Sequence, residues 1–150
     1  MEDKFTKTII VKADVNKVYN AWSNFENFPY FMKNIKSVEK TGVKTSHWEM
    51  KGPLGVTVEW DAETTENDPD KRIGWSTKDR KDGDLTTSGQ VTFTQLPDRQ
   101  TQITATVQYV TKAGLPGEVA ARLFSNPEKQ LEEDLVNFKQ YIEGDLTRTP

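Results

Sequence analysis

Tyr19-Asn-Ala-Trp-Ser-Asn-Phe-Glu-Asn-Phe-Pro-Tyr-Phe31 places six aromatic rings within thirteen residues. The rest of the chain is polar, with a mean hydropathy of −0.75. Its 150 residues include only four tryptophans, four tyrosines and seven phenylalanines. A cluster of this kind either fills a core or walls a cavity, and the flanking sequence bears on which.

Before it, Phe5–Lys12 is rich in β-branched residues and reads as a strand. Asp14 offers an N-cap. Val15, Val18, Tyr19 and Trp22 then recur at i, i+3, i+4 and i+7, the spacing of one helical face. Pro29 disfavours helical geometry at Phe28. The helix is therefore expected to break near Ser23–Phe28, with a second short helical turn around Pro29–Met32. Two short helices after one strand would form a V.

After it, the period changes to two. Strands are expected over Lys36–Lys40, Ser46–Lys51, Val56–Glu66, Arg72–Lys78, Gly89–Leu96 and Thr101–Thr111. Gly52–Gly55, Asn67–Asp70 and Pro97-Asp98 supply turns. Along Val56–Glu63, apolar residues alternate with Thr57, Glu59, Asp61 and Glu63, as on a sheet with one buried and one wet face. Six strands joined by short turns form an antiparallel meander. A second apolar periodicity, Leu131, Leu135, Phe138 and Ile142, follows Asn126 as cap and Pro127 as first-turn residue. Gly144 is the expected stop. Residues 127–143 would span roughly 25 Å at helical rise, enough to cross a curved sheet. Gly117–Phe124 offers a further short helix, with Val119 and Leu123 on one face.

A chain of this length is most simply one domain. Net charge is −3 and no Lys/Arg block stands out, which argues against a nucleic-acid groove. No apolar run approaches the ~20 residues needed to cross a bilayer, so no stable membrane insertion is expected. The acidic, polar N-terminus is unlike a signal peptide, and cytoplasmic residence is expected. The absence of cysteine removes disulfides and thiolate metal sites.

The element order of strand, two short helices, six-strand meander and long C-terminal helix resembles the helix-grip fold of the START-like (SRPBCC) superfamily, which includes Bet v 1-type proteins. Five stretches resemble its bacterial polyketide cyclase/dehydrase and lipid-transport branch. They are Val18–Met32, His47-Trp48, Gly52-Pro-Leu-Gly-Val-Thr-Val-Glu-Trp-Asp-Ala-Glu63, Ile73-Gly-Trp75 and Glu133-Asp-Leu-Val-Asn-Phe-Lys139. The likeness covers roughly residues 4–143 and leaves a short polar C-terminal tail. It implies an α+β domain with a curved antiparallel sheet of about seven strands gripped by the last helix. It also implies a cavity between them, often holding an apolar small molecule.

The residues offer little for catalysis. His47 is the sole histidine. If the Gly52–Gly55 turn includes a three-residue loop with a bulge, Trp48 pairs with Trp60, Met50 with Val58, and His47 faces solvent. A two-residue loop would turn His47 inward, at the cost of burying Glu49 and Lys51. The row Glu59, Asp61 and Glu63 reads as a solvated face. Asp79, Asp82 and Asp84 resemble part of a calcium loop, but Gln90 stands where its closing Glu would be. No cofactor or metal is expected.

The remaining candidates form the inner face: Trp48, Met50, Trp60, Trp75, Phe93 and Tyr109 from the strands, with Leu131 and Leu135 from the last helix. Phe28, Phe31 and Met32 fall after the helix break, where the resemblance implies a cavity mouth. Tyr19, Trp22 and Phe25 are read as structural. Tyr109 would be the internal hydrogen-bonding handle. Loops 52–55 and 112–117 would gate entry, with Gly114, Pro116 and Gly117 as hinge. The expected function is binding or transport of an apolar or aromatic small molecule such as a lipid, quinone or polyketide. One alternative is a cyclase/aromatase-type enzyme using Tyr109 and Arg122. Another is a protein-interaction module whose pocket the tryptophans fill, and a third is a protein whose pocket is vestigial.

Overall fold

A computed structural model describes residues 3–32, 34–51, 55–77, 85–111 and 127–148. Its strands are β1 (Asp3–Val11), β2 (Ile35–Lys40), β3 (Thr45–Lys51), β4 (Thr57–Asp68), β5 (Arg72–Thr77), β6 (Leu85–Leu96) and β7 (Gln100–Thr111). All seven form one antiparallel sheet in the order β1-β7-β6-β5-β4-β3-β2. The six later strands are the expected meander, and β1 closes the order by pairing with the last of them, Phe5 opposite Val107 and Ile9 opposite Ile103. The fold is the helix-grip arrangement expected from the element order.

Period-two patterning sets the faces. Val58, Trp60 and Ala62 are buried on β4 while Thr57 and Glu59 are exposed. The outer face of β1 and β7 carries paired threonine hydroxyls, Thr6 with Thr106 and Thr8 with Thr104, each at 3.2 Å. The inner face is covered by α1 (Val15–Ser23), a 3-10 helix (Phe25–Tyr30) and α2 (Pro127–Arg148). Leu131, Leu135, Phe138 and Ile142 form the buried stripe of α2. Phe138 is 0% exposed and its ring meets Trp22 at 4.8 Å and Phe31 at 5.1 Å. At the β1 side, Lys7 reaches Glu128 at 3.0 Å and Glu132 at 3.6 Å on α2.

The buried apolar residues fall into two groups. The larger joins α1, α2 and strands β1, β2 and β5–β7. The smaller is Val58, Trp60 and Ala62 of β4, with Met50 and Val56 packed on it. Among the described residues, only Ile35 and Trp48 pack against both.

Several local expectations are corrected. Asp14 precedes α1 with an extended backbone but makes no side-chain cap. Its carboxylate is taken by Arg99 at 3.0 Å, and Gln95 Oε1 accepts the Val15 N–H instead. Arg99 lies in the β6–β7 turn, where Asp98 and Arg99 adopt positive φ. The second helical segment lies earlier than Pro29–Met32, and Pro29 is inside it. A 3-10 turn tolerates the missing N–H because the bonds on either side survive: Asn27 N–H to Asn24 O, and Phe31 N–H to Phe28 O. Gly144 does not stop α2, which continues to Arg148. Gly55 is the one described glycine with left-handed φ, so Gly144 does not adopt the αL stop conformation. β6 begins at Leu85 rather than Gly89, because β7 extends far enough to pair Leu85 with Thr111. The segment Gly117–Phe124 lies outside the described residues.

Gly89 is opposite Trp75 across β5–β6. A Cβ there would sit 2.3 Å from the Thr106 carbonyl oxygen and 2.8 Å from Trp75 Cζ2. The missing side chain is what lets the Trp75 indole lie across β6. Gly89→Ala is therefore expected to lower stability by about 1–3 kcal/mol through overpacking, read as a reduced urea midpoint with an unchanged slope.

Candidate functional site

Between the two apolar groups lies a cavity of about 190 Å3. Residues of both groups line it. Alternation on β4 points Trp60 and Ala62 inward. Cross-strand pairing sets Trp48 opposite Trp60 and Met50 opposite Val58. The Trp48 and Trp60 indoles stack at 5.9 Å with planes 13° apart. The Trp48 Nε1–H donates to Ser46 Oγ at 2.8 Å, which satisfies the one polar atom of that ring. Phe28 meets Trp48 edge-on at 5.3 Å, and Trp22 meets Phe28 at 5.6 Å. These contacts fix the rings as a rigid wall.

Of the residues expected at the site, Phe28, Met32, Trp48, Met50, Trp60 and Trp75 line the cavity, with Leu131 and Leu135 opposite on α2. Phe31 and Phe93 do not. Phe31 packs among Phe28, Phe138 and Tyr141, and Phe93 packs against Tyr19 and Trp22. The Tyr109 backbone pairs with Asp3 and Thr87, but its side chain is outside the described part of the structure. So are Arg122 and, of the loops 52–55 and 112–117 expected to gate entry, all but Gly55.

Two rings read as structural, Trp22 and Phe25, are in the lining. Phe25 opens the 3-10 helix and so reaches Trp48, at 5.9 Å. Tyr19 is structural as expected: its hydroxyl donates to Asn67 Oδ1 and its ring faces Phe93.

Sequence reasoning missed Asp134 and Gln130, which also line the cavity. Gln130 Nε2 donates to Asp134 Oδ1 at 3.0 Å, one helical turn away. Burial pushes the Asp134 carboxyl up to about 6, the Gln130 bond opposes the rise, and nearby Glu133 adds to it. The signal was present: residues 131, 134, 135 and 138 follow helical i, i+3, i+4, i+7 spacing, so an acid sits on the apolar stripe. Glu63 joins the lining just before a bulge between Thr64 and Glu66, which interrupts the simple alternation. The cavity thus combines a ring wall with one acid–amide pair. Around neutrality the acid exchanges its proton readily and can donate or accept a hydrogen bond.

His47 faces outward, as the Trp48–Trp60 register requires. Its neighbours Asp61 and Glu59 are not merely solvated, since both bond to it. The Asp61 bond raises the imidazole pKa above its ordinary value, burial opposes this, and Glu59 adds to the rise.

The curved sheet, the gripping helix and the cavity between them define a START-like protein. The family profile described as polyketide cyclase/dehydrase and lipid transport matches residues 11–136, and the chain belongs to that family. An uncharacterised 17.2 kDa protein of Streptomyces lincolnensis is 32% identical over 143 residues, covering 93% of this chain and 89% of its own. The ZhuI aromatase/cyclase of a Streptomyces species superposes with a TM-score of 0.75 at 18% identity, covering 95% of this chain and 94% of the other. A START superfamily protein of Mycobacterium smegmatis gives 0.73 at 15% identity, covering 94% and 97%. At these identities the two structures show a shared fold. No helix among the described residues is long and apolar enough to cross a membrane.

Asp134 makes the stability of the protein depend on pH. Its folded pKa of about 6 exceeds the ordinary value of an unfolded Asp, about 3.9. The folded state therefore holds the extra proton between these values, and stability falls as pH rises from about 4 through about 6. Asp134→Asn removes this slope. At pH 7–8 the variant is expected to exceed the wild type by roughly 1–3 kcal/mol, measured as urea midpoints across pH.

Proposed function

We propose that this protein binds a compact, largely apolar, ring-bearing molecule, of quinone or aromatic-polyketide type, between the tryptophan wall and α2. The carrying observation is the unfilled cavity of about 190 Å3 faced by Trp48, Trp60 and Trp75 on one side and by the Asp134–Gln130 pair on the other. Ligand carbon removed from water contributes roughly 25 cal/mol per Å2. The rings add selectivity for flat partners by offset or edge-on contact. A carbonyl or hydroxyl end group meets Asp134. The cavity is below the ~300–1,000 Å3 of common ligand sites. One or two rings fit as the cavity stands. A long-chain lipid or a multi-ring polyketide requires it to widen.

Family membership supports an apolar ligand. A second reading, catalysis of a cyclase or dehydratase kind, is favoured by Asp134, whose pKa near the operating pH suits general acid–base work. The two readings separate under Asp134→Asn, which abolishes turnover in the second and leaves most binding intact in the first.

The test is native mass spectrometry of the purified full chain, then small-molecule analysis of a denaturing extract, then titration of tryptophan fluorescence with a simple naphthoquinone. Saturable quenching is expected in the wild type. Val107→Phe, which fills the cavity from β7, is expected to weaken it at least about tenfold, the loss of one or more kcal/mol, while the far-UV circular dichroism is retained. Tyr30→Ala, at a ring 75% exposed, leaves it unchanged. Equal quenching in all three proteins would reject the cavity as the binding site.

A further inference from the structure

The opposite side of the same two strands carries a second group of side chains. His47 and Asp61 are directly opposite across β3–β4, and so are Glu49 and Glu59, two residues further along. All four point away from the cavity, because Trp48, Trp60, Met50 and Val58 between them point in. His47 Nδ1 is 2.7 Å from Asp61 Oδ1. Its other nitrogen, Nε2, is 3.0 Å from Glu59 Oε1 and 3.9 Å from Glu49 Oε2. We propose that this face binds a divalent transition cation of the zinc class, held by His47 Nε2 and one carboxylate oxygen each from Glu49 and Glu59.

The geometry is close to that of a bound site. The three donor atoms lie within 4.8 Å of one another. Zinc bonds of ~2.0–2.2 Å in a tetrahedron place neighbouring donors roughly 3.4 Å apart, and the observed 3.0 and 3.9 Å straddle that value. Asp61 serves the far side of the ring. A carboxylate on the non-ligating nitrogen orients a metal-binding imidazole and raises its basicity. This buttressed imidazole separates the group from the acidic rows common on sheet surfaces.

Charge points the same way. Like charges directly opposite on neighbouring strands repel, yet Glu49 is opposite Glu59. On the other side of His47, the β2 partner is Glu39. A dication placed between Glu49 and Glu59 would offset that repulsion. The donor set of one nitrogen and two oxygens suits zinc, with a fourth position for water. It does not suit calcium or magnesium, which take oxygen alone. The side chains of His47 and Glu49 are each 32% exposed, which leaves an ion a path in. The bound ion would tie β3 to β4 on the back of the wall formed by Trp48 and Trp60.

The test is calorimetric titration of the EDTA-treated full chain with zinc chloride, with cobalt(II) absorption as a readout of coordination. One ion per chain is expected, with micromolar affinity, the four-coordinate cobalt spectrum and a raised Tm on zinc addition. His47→Ala should abolish all of these. Glu49→Gln and Glu59→Gln should each weaken binding, and Asp61→Asn, a positioning change, by roughly 10–100-fold. Glu66→Gln, further along β4 and paired with Arg72, should change nothing. The Glu→Gln variants keep the hydrogen-bonding outline and serve if His47→Ala does not fold. Absence of saturable binding below about 1 mM, or affinity unchanged in both Glu→Gln variants, would overturn the proposal.

Discussion

The registration of β3 against β4 is the constraint on which the rest of this protein depends. With Trp48 opposite Trp60 and His47 opposite Asp61, indoles go inside and charges outside. A slip of one residue would exchange the two faces, burying Glu49 and Lys51 and exposing the stacked rings. The desolvation cost of those charges is far larger than any gain from alternative pairing. Both candidate sites are therefore consequences of one pairing decision, read from its two sides.

The cavity lies between the sheet and α2 and is lined by side chains of both. Phe138 and Ile142 close the gap at one end of the helix, where rings from α1 and the 3-10 helix come in to meet them. Nearer the start of α2, Leu131 and Leu135 line the cavity with the smaller side chains of Ala62, Ala105 and Val107. Tight packing is the rule in protein interiors, so an apolar gap walled by rings that are locked against one another persists only because its lining cannot collapse. The ring contacts that hold the space open also define the shape of what can enter it.

Much of this was legible in the sequence, because it follows from alternation and helical periodicity. The meander, the register of the tryptophan pair, the buried stripe of α2 and the outward histidine all come from patterns a few residues long. What was not legible involves partners far apart in the chain. Asp14 has the position of a helix cap, but Arg99, 85 residues further along the chain in the β6–β7 turn, takes its carboxylate. Phe25 and Phe31 are indistinguishable by type, and only the starting point of a 3-10 helix decides which faces the cavity and which the core. Asp134 is the instructive case: helical spacing puts it on the apolar stripe with Leu131, Leu135 and Phe138, but its burial and its bond to Gln130 depend on the packing of α2 against the sheet. The side chains of Tyr109 and Arg122, the polar groups the sequence suggests, lie outside the described part of the structure.

An open sheet has two ends. At β1 the chain covers its end with α2, fastened through Lys7. At β2 the 3-10 helix packs against the strand, and the strand's own side chains add to the protection. Ile35–Lys40 carries Lys36, Glu39 and Lys40 within six residues, and its pairing with β3 is interrupted by a shift between Ile35 and Ser37. A second molecule offering a strand here would have to desolvate those charges and follow a kinked backbone. The edge of a sheet invites an eighth strand, and here the side chains turn it away.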